Sequence, residues 1–407
     1  MEYEMSSTDV QRDRVDRTPP PEEWRSRLDE LSDFDPIEYP DESVTGASDK
    51  ARSQWRLMKI KFFRNKLAVV GGIMIILLYG TALFADFLSP YDFRRRNVPY
   101  KYAPPSQIHW RDDTGALTRP HVFARTSRLD VLEGRMDWIE DTSQRYYLRF
   151  FVRGAPYRLF GLIETDIRLF GVDEGGYLTI WGADLLGRDL YSRILAGSRV
   201  SLTAGLLGVI ISLFLGATIG AISGYMSGTV DLVVQRIIEF MNSFPQLPIW
   251  LAISAALPPT WSSVQIYIGV VTVLALVQWG GLARAVRAKV LAYRRNDYVL
   301  AAEASGATAT WTMFKHLLPS VTSHIIVTAT LAVPVMILAE STLSFLGVGI
   351  QPPMTSWGVL LQDAQNVQSM ALRPWMLLPG LAIFIAVLAF NFFGDGLRDA
   401  ADPYSNK

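Results

Sequence analysis

The chain has 407 residues, half of them hydrophobic, with 39 basic and 39 acidic side chains and no cysteine. The lack of cysteine excludes a disulfide framework, thiolate metal sites and a cysteine nucleophile. Basic residues are not gathered on one segment with interleaved aromatic residues, so a nucleic-acid partner is not expected.

The N-terminal segment 1–55 is polar and rich in Asp, Glu, Arg and Pro, and it lacks the apolar run of a signal peptide. Such a composition buries too little apolar surface to offset the entropy lost on ordering. We therefore predict a disordered cytoplasmic tail, with a short helix near residues 24–31.

Apolar runs follow, each close to the ~20 residues that cross about 30 Å of hydrocarbon as a helix. The six runs are residues 67–85, 202–226, 232–257, 264–283, 321–347 and 375–393. The sequence therefore predicts an integral membrane protein with six transmembrane helices.

Basic residues beside these runs predict their orientation. The segment 56–90 carries Lys59, Lys61, Arg64 and Lys66 ahead of the first helix, and the loop 284–319 carries a second basic group. The positive-inside rule places both groups on the cytoplasmic side. Both termini, including the tail 399–407, are then cytoplasmic.

The long loop 91–180 then lies outside the cell. It contains an alternating stretch at 146–153, followed by the turn residues Gly154-Ala155-Pro156. We predict a small β-rich extracytoplasmic insert. Two roles stay open: it extends the docking surface for an external protein, or it shields the outer mouth of a transport path.

Glycine recurs at four-residue spacing in the second run, at Gly216, Gly220 and Gly224. This spacing places small residues on one helix face, where a neighbouring backbone approaches closely. We interpret it as a helix-packing surface without chemistry.

Polar side chains inside the predicted spans are costly in hydrocarbon, about 2.5–3.5 kcal/mol for a central carboxylate. They are Glu239, Asn242, Gln278, Glu340 and Ser341. We expect them to face the interior of the bundle, either as the lining of a translocation path or as interhelical hydrogen-bond groups. Nearby prolines at 245, 248 and 334 would loosen helices that must move.

Catalytic motifs are missing from the sequence: it has no phosphate-binding P-loop, no zinc helix and no nucleophile elbow. The histidines at 109, 121, 316 and 324 have no metal-ligand spacing. We expect a chain that is not an enzyme, holds no metal or cofactor, and takes its energy from another chain.

The predicted cytoplasmic loop contains small residues at Ala301, Ala302 and Ala304, followed by Gly306. This pattern indicates a short thin helix that ends in a glycine turn. Such a helix fits a groove on a partner, although a plain amphipathic connector would have a similar sequence.

This loop resembles that of the permeases of binding-protein-dependent ABC importers, on the residues Ala301, Ala302, Gly306, Leu318 and Pro319. Leu300 stands where the family usually has glutamate. Further stretches are similar to the dipeptide and oligopeptide (peptide, nickel, opine) branch, in its second permease type. They are 181–194, 344–353, 356–358, Arg398-Asp399 and Asp402-Pro403.

The resemblance covers residues 55–90 and 180–407, whereas 91–179 departs from it. It implies an all-α polytopic fold with six transmembrane helices, of which a core domain 181–398 holds five. It also implies a coupling site for the ATPase at Leu300, Ala301, Ala302, Glu303, Gly306, Leu318 and Pro319.

The implied partners are a second permease, two cytoplasmic ATPases that bind ATP and Mg, an extracytoplasmic binding protein and the bilayer of a bacterial inner membrane. Peptides, nickel chelates and opine-like compounds all remain candidate solutes. Two rival hypotheses are an ion-coupled transporter that uses Glu239 or Glu340, and a membrane-tethered scaffold that displays the insert.

Overall fold

The computed structural model describes residues 54–112, 115–130, 135–365 and 371–401. The predicted N-terminal tail, with its helix near 24–31, and the pair Asp402-Pro403 lie outside the described residues. The described chain begins with helix α1, Gln54–Arg64.

Long apolar helices dominate the described part, and five are long and apolar enough to cross a membrane. They are α2 (Lys66–Leu83), α4 (Leu190–Met226), α7 (Ser263–Tyr293), α10 (Leu318–Phe345) and α12 (Leu378–Ala401). The prediction of a polytopic, mostly helical protein is confirmed at this level.

The predicted span 232–257 is not one helix, so the six-helix prediction is not confirmed. It consists of α5 (Gly228–Ser243, 16 residues) and α6 (Gln246–Ala255, 10 residues), both shorter than a membrane crossing. Phe244 between them is extended at φ −97° and ψ 142°. The cause is Pro245, which disfavours helical geometry in the residue before it and lacks an N–H of its own.

Short helical elements connect these helices. They are α3 (Ala85–Leu88), α8 (Asp297–Ala304), α9 (Ala309–Thr312), α11 (Trp357–Gln362), the 3₁₀ turns Val98–Tyr100 and Pro374–Leu377, and a π-helical turn Met313–Leu317. Of these, α8 and α11 belong to the sites described below.

Helix α4 packs backbone to backbone against α7 along the predicted glycine face. A β-carbon added to Gly216 would lie 2.9 Å from the carbonyl oxygen of Trp279, and one added to Gly224 would lie 2.9 Å from that of Arg287. Between them, Gly220 faces Ala283 in the same way. The glycines therefore allow an interhelical approach that no larger residue would permit.

The apolar core lies between the long helices. Each contributes a side chain that is less than a tenth exposed, as at Leu202 on α4, Leu274 on α7, Ile337 on α10 and Ile383 on α12. Helix α12 also packs closely on α2, where Gly71 faces the backbone of Phe393.

A four-stranded antiparallel sheet occupies the stretch predicted as the β-rich insert. Its strands are adjacent in chain order, β1 (His109–Arg111), β2 (Leu117–Asp130), β3 (Arg135–Leu159) and β4 (Ile163–Val172). Arg168 of β4 is 1% exposed and donates to the carbonyl oxygens of Asp86 and Ser89, both at 3.0 Å. This buried guanidinium anchors the sheet to α3 and its C-cap Ser89.

Candidate functional site

Helix α8 is the short helix predicted in the loop 284–319, and it begins at Asp297, four residues before Ala301. It ends in a turn at Gly306, whose φ is +84°. The N–H of Gly306 donates to the carbonyl oxygen of Glu303 at 2.9 Å, and that of Ala307 donates to Ala302 at 3.0 Å. Because a left-handed conformation costs most L-residues about 1–2 kcal/mol, glycine is the residue that fits here.

Contacts on one side fix α8 to the long helices. Val299 is fully buried in a cluster with Val290 of α7 and Leu317 of the π-helical turn. On α4, the Tyr225 hydroxyl donates to a Glu303 carboxylate oxygen at 2.7 Å, and the carbonyl of Tyr225 accepts from Arg294 at 3.1 Å. These contacts join α8 to the ends of α4 and α7 and to the π-helical turn that precedes α10.

The opposite side of α8 borders an open groove of about 640 Å³. Its lining combines small residues with aromatic rings, among them Tyr298, Ala301, Ala302, Gly306, Trp311 and His316. The side chains of Tyr298 and Trp311 are 42% and 48% exposed. The groove is thus a shallow, largely apolar surface on the side of α8 that faces away from the long helices.

The structure brings together only part of the predicted coupling set. Ala301, Ala302 and Gly306 line the groove. Leu300 is half exposed on the same helix beside the exposed Glu303. Leu318 and Pro319 instead begin α10, where Leu318 is half-buried and Pro319 is exposed.

Sequence reasoning missed the aromatic side of this groove. Trp311 and His316 are in edge-to-face contact, with ring centroids 4.7 Å apart, and His316 also lies 6.2 Å from the Tyr298 ring. The available signal was a group of aromatic residues flanking a run of small residues in a loop predicted to face the cytoplasm. The Tyr225 anchor had no such signal, because its partner Glu303 is distant in sequence.

Glu340 lies inside the bundle, as predicted, and is fully buried. Its carboxylate accepts hydrogen bonds from the hydroxyls of Ser201 at 3.0 Å, Ser344 at 2.8 Å and Ser341 at 3.4 Å. The Ser201 hydroxyl in turn accepts a hydrogen bond from the backbone N–H of Trp357 at 3.1 Å. This network, here called the serine cage, joins α4, α10 and α11 around one acidic group.

The remaining intramembrane candidates lie elsewhere. Glu239 and Asn242 are exposed on α5 in this single chain, and their place facing the interior of the bundle stays a prediction. Helix α5 turns Ile238 onto Trp279 of α7, which leaves Glu239 on the outer side, paired with Arg236 at 2.7 Å. Gln278 borders a separate cavity of about 240 Å³ between α4, α7 and α10.

Comparisons with known families match most of the chain outside the sheet. Residues 216–406 match the family described as binding-protein-dependent transport system inner membrane component. Residues 53–105 match the N-terminal TM domain of oligopeptide transport permease C.

Individual relatives are matched by this chain over nearly their whole length. The oligopeptide transport system permease protein OppC of Escherichia coli (strain K12) is 39% identical over 298 residues, 68% of this chain and 94% of the relative. The dipeptide transport system permease protein DppC of Bacillus subtilis (strain 168) is 30% identical over 386 residues, 94% of this chain and 93% of the relative. The glutathione transport system permease protein GsiD of Pectobacterium atrosepticum is 30% identical over 354 residues, 86% of this chain and 92% of the relative.

Proposed function

Because this chain belongs to the family of permease proteins of peptide ABC importers, we propose that α8 and its groove form the docking surface for the ATPase subunits. The chain is a transmembrane permease subunit of an ABC importer, which excludes the ion-coupled alternative. The observation that carries the proposal is the two-sided character of α8, buried at Val299 and open at Ala301 and Ala302.

The mechanism follows from these contacts. Nucleotide-driven movement of an ATPase docked on α8 displaces this helix, and Val299 and Glu303 pass this displacement to α7 and α4. Inward-open and outward-open packings then alternate, because nucleotide and binding protein stabilise them differently. ATP and Mg are bound by the ATPases, and this chain performs no chemistry.

Four further elements complete the proposed transporter: a second permease, two ATPases on the side of α8, and a binding protein on the side of the sheet. Both termini and the loop 284–319 are cytoplasmic in a bacterial inner membrane. Docking of the binding protein and shielding of the outer mouth remain the two roles proposed for the insert. The names of the relatives, which transport oligopeptides, dipeptides and glutathione, support peptides as the solute class.

The translocation path is proposed to run along the face of this chain that meets the second permease. Glu239 and Asn242 lie on an exposed face that is available for such contact, and Gln278 borders an inner cavity. Glu340 and Ser341 are enclosed in the serine cage in this conformation. They would therefore contribute by holding the helices together while the cage is closed.

A matched pair of substitutions on α8 tests the docking surface. Ala302→Trp places a bulky ring in the groove, whereas Ala304→Trp places the same ring at an exposed position outside the groove lining. We expect Ala302→Trp to reduce solute uptake about tenfold or more in reconstituted transporters with matched permease content. Ala304→Trp should retain most of the uptake. Normal uptake and normal ATPase stimulation by Ala302→Trp would show that the ATPase does not dock here.

A further inference from the structure

A further cavity, of about 350 Å³, lies at the opposite end of α4 from the groove. Tyr225, which anchors α8, is near the C-terminus of this 37-residue helix, whereas the cavity is near its N-terminus. At 1.5 Å per residue the two sites are roughly 50 Å apart. Four of the side chains that line the cavity are arginines, at positions 94, 96, 188 and 193.

Two of these arginines are already neutralised. Arg193 is 3% exposed, and one terminal nitrogen contacts both Asp184 and Asp363, the latter at 3.0 Å. Arg188 donates from Nε to Asp184 at 2.6 Å. Two carboxylates therefore balance two guanidinium groups, and this network, buried at Arg193 and Asp184, fixes the rear wall of the cavity.

Two buried polar atoms in the cavity wall have no partner among the described residues. They are Nε of Arg193 and the hydroxyl oxygen of Thr355, a residue that is 4% exposed. A buried polar group without a hydrogen bond costs about 1–3 kcal/mol. Both atoms can donate, so the wall provides donors that require an acceptor.

The mouth of the cavity adds positive charge. Arg94 and Arg96 are exposed, and within the described residues neither guanidinium is paired with a carboxylate. Because the charges of the rear wall cancel, Arg94 and Arg96 leave the cavity with an excess of two positive charges. A guanidinium group binds the paired oxygens of a carboxylate or a phosphate in a bidentate manner.

We propose that this cavity binds an oxyanion, held at the rear by Arg193 Nε and the Thr355 hydroxyl and at the mouth by Arg94 and Arg96. The shared chemistry is a carboxylate or phosphate group with at least two free oxygens. Such a group comes either from a small anion in solution or from the headgroup of an anionic lipid. The proposal does not depend on the docking surface at α8.

The test uses the full chain in nanodiscs of zwitterionic phosphatidylcholine, without ATPases, so that no nucleotide site contributes anion binding. Inorganic phosphate is titrated by calorimetry, and the melting temperature is compared with that in chloride at equal ionic strength. Two variants remove one donor each: Arg96→Gln at the mouth and the near-isosteric Thr355→Val at the rear. The matched control is Arg95→Gln, since Arg95 lies between the two mouth arginines but stacks on Tyr91, 5.1 Å from its ring centre.

We expect phosphate to bind and to raise the melting temperature of the wild-type chain more than chloride does. Arg96→Gln and Thr355→Val should each weaken binding about tenfold, and Arg95→Gln should change it less than about twofold. Unchanged melting temperatures of the variants in chloride would show that they fold normally.

A second set of nanodiscs, containing phosphatidylglycerol, separates the two sources of the oxyanion. If this lipid raises the melting temperature of the wild type but not of Thr355→Val, and competes with phosphate, the ligand is a lipid headgroup. If phosphate binds equally in both kinds of nanodisc, the ligand is a free anion. Either result supports the site. The proposal is overturned if phosphate and phosphatidylglycerol act no differently from chloride and phosphatidylcholine, or if both variants bind like the wild type.

Discussion

The serine cage around Glu340 shows how one carboxylate is kept inside a membrane bundle. Each of its oxygens accepts at least one hydroxyl hydrogen bond, so the carboxyl group is held by neighbours on α4 and α10. Removing the carboxylate leaves the hydroxyls of Ser201 and Ser344 buried without their acceptor, a loss of about 1–3 kcal/mol.

We therefore predict that Glu340→Ala destabilises the chain by about 2 kcal/mol, while Glu340→Gln, which keeps one acceptor oxygen, costs less. The measurement is the melting temperature of the purified chain. Glu239→Ala serves as the control, because its surface ion pair with Arg236 contributes only about 0–1 kcal/mol. A Glu340→Ala variant as stable as Glu239→Ala would mean that the cage does not hold the helices together.

Glycine is required at position 306 because of the backbone conformation, and not because a larger side chain would collide with a neighbour. A β-carbon at this position would meet no atom within 4 Å, yet φ is +84°. We predict that Gly306→Val costs about 1–2 kcal/mol and misdirects α8, and that Gly306→Asn is milder because asparagine tolerates this conformation.

The control for this prediction is Gly281→Ala, since Gly281 is equally open but lies within helix α7. Proteolysis of the loop and solute uptake report the outcome. Equal behaviour of Gly306→Val and Gly281→Ala would contradict the requirement for a left-handed turn.

At the level of elements, the contact between α4 and α7 depends on the absence of side chains. We predict that Gly220→Leu prevents these helices from meeting, because its β-carbon would overlap the backbone of Ala283. Gly80→Leu on α2 is the control, as a β-carbon there meets nothing within 4 Å. The yield of monodisperse protein in size-exclusion chromatography measures the difference. Equal yields would rule out the glycine contact as a requirement for folding.

The ends of the elements were harder to predict than their existence. Hydropathy placed the start of the second span at residue 202, whereas α4 begins at Leu190. The missed turns contain Arg193 and Arg199, which lower the hydropathy but are paired with Asp184 and Asp86 in the fold. Hydropathy averages over a window, so it overlooked both these paired charges and the interruption at Pro245.

Across the whole molecule, the sequence was sufficient to predict features that depend on local patterns. These are the glycine spacing of α4, the small residues of α8 and the turn at Gly306. The serine cage and the arginine cavity depend on residues far apart in the chain. Ser201 and Glu340 are separated by 139 positions, and Arg193 and Asp363 by 170. No local spacing indicates such partners, and they become apparent only when the helices are packed together.

The orientation of the whole molecule yields the last prediction. Because the chain has no cysteine, single cysteines report sidedness directly. We predict that Glu303→Cys is shielded from an impermeant thiol reagent added outside intact cells, whereas Ile139→Cys, half exposed on the sheet, is labelled. Labelling of position 303 from outside would show that the topology is the reverse of the predicted one.

The glycine contact between α4 and α7 also constrains how the protein is made. Helix α4 leaves the ribosome well before α7, with α5 and α6 between them. Until α7 arrives, the glycine face of α4 has only lipid beside it and offers little surface to hold another helix. This pairing is therefore formed only after the proline-broken segment has been accommodated. A translation pause or a truncation before Tyr293 would leave α4 without its permanent neighbour and exposed to membrane quality control.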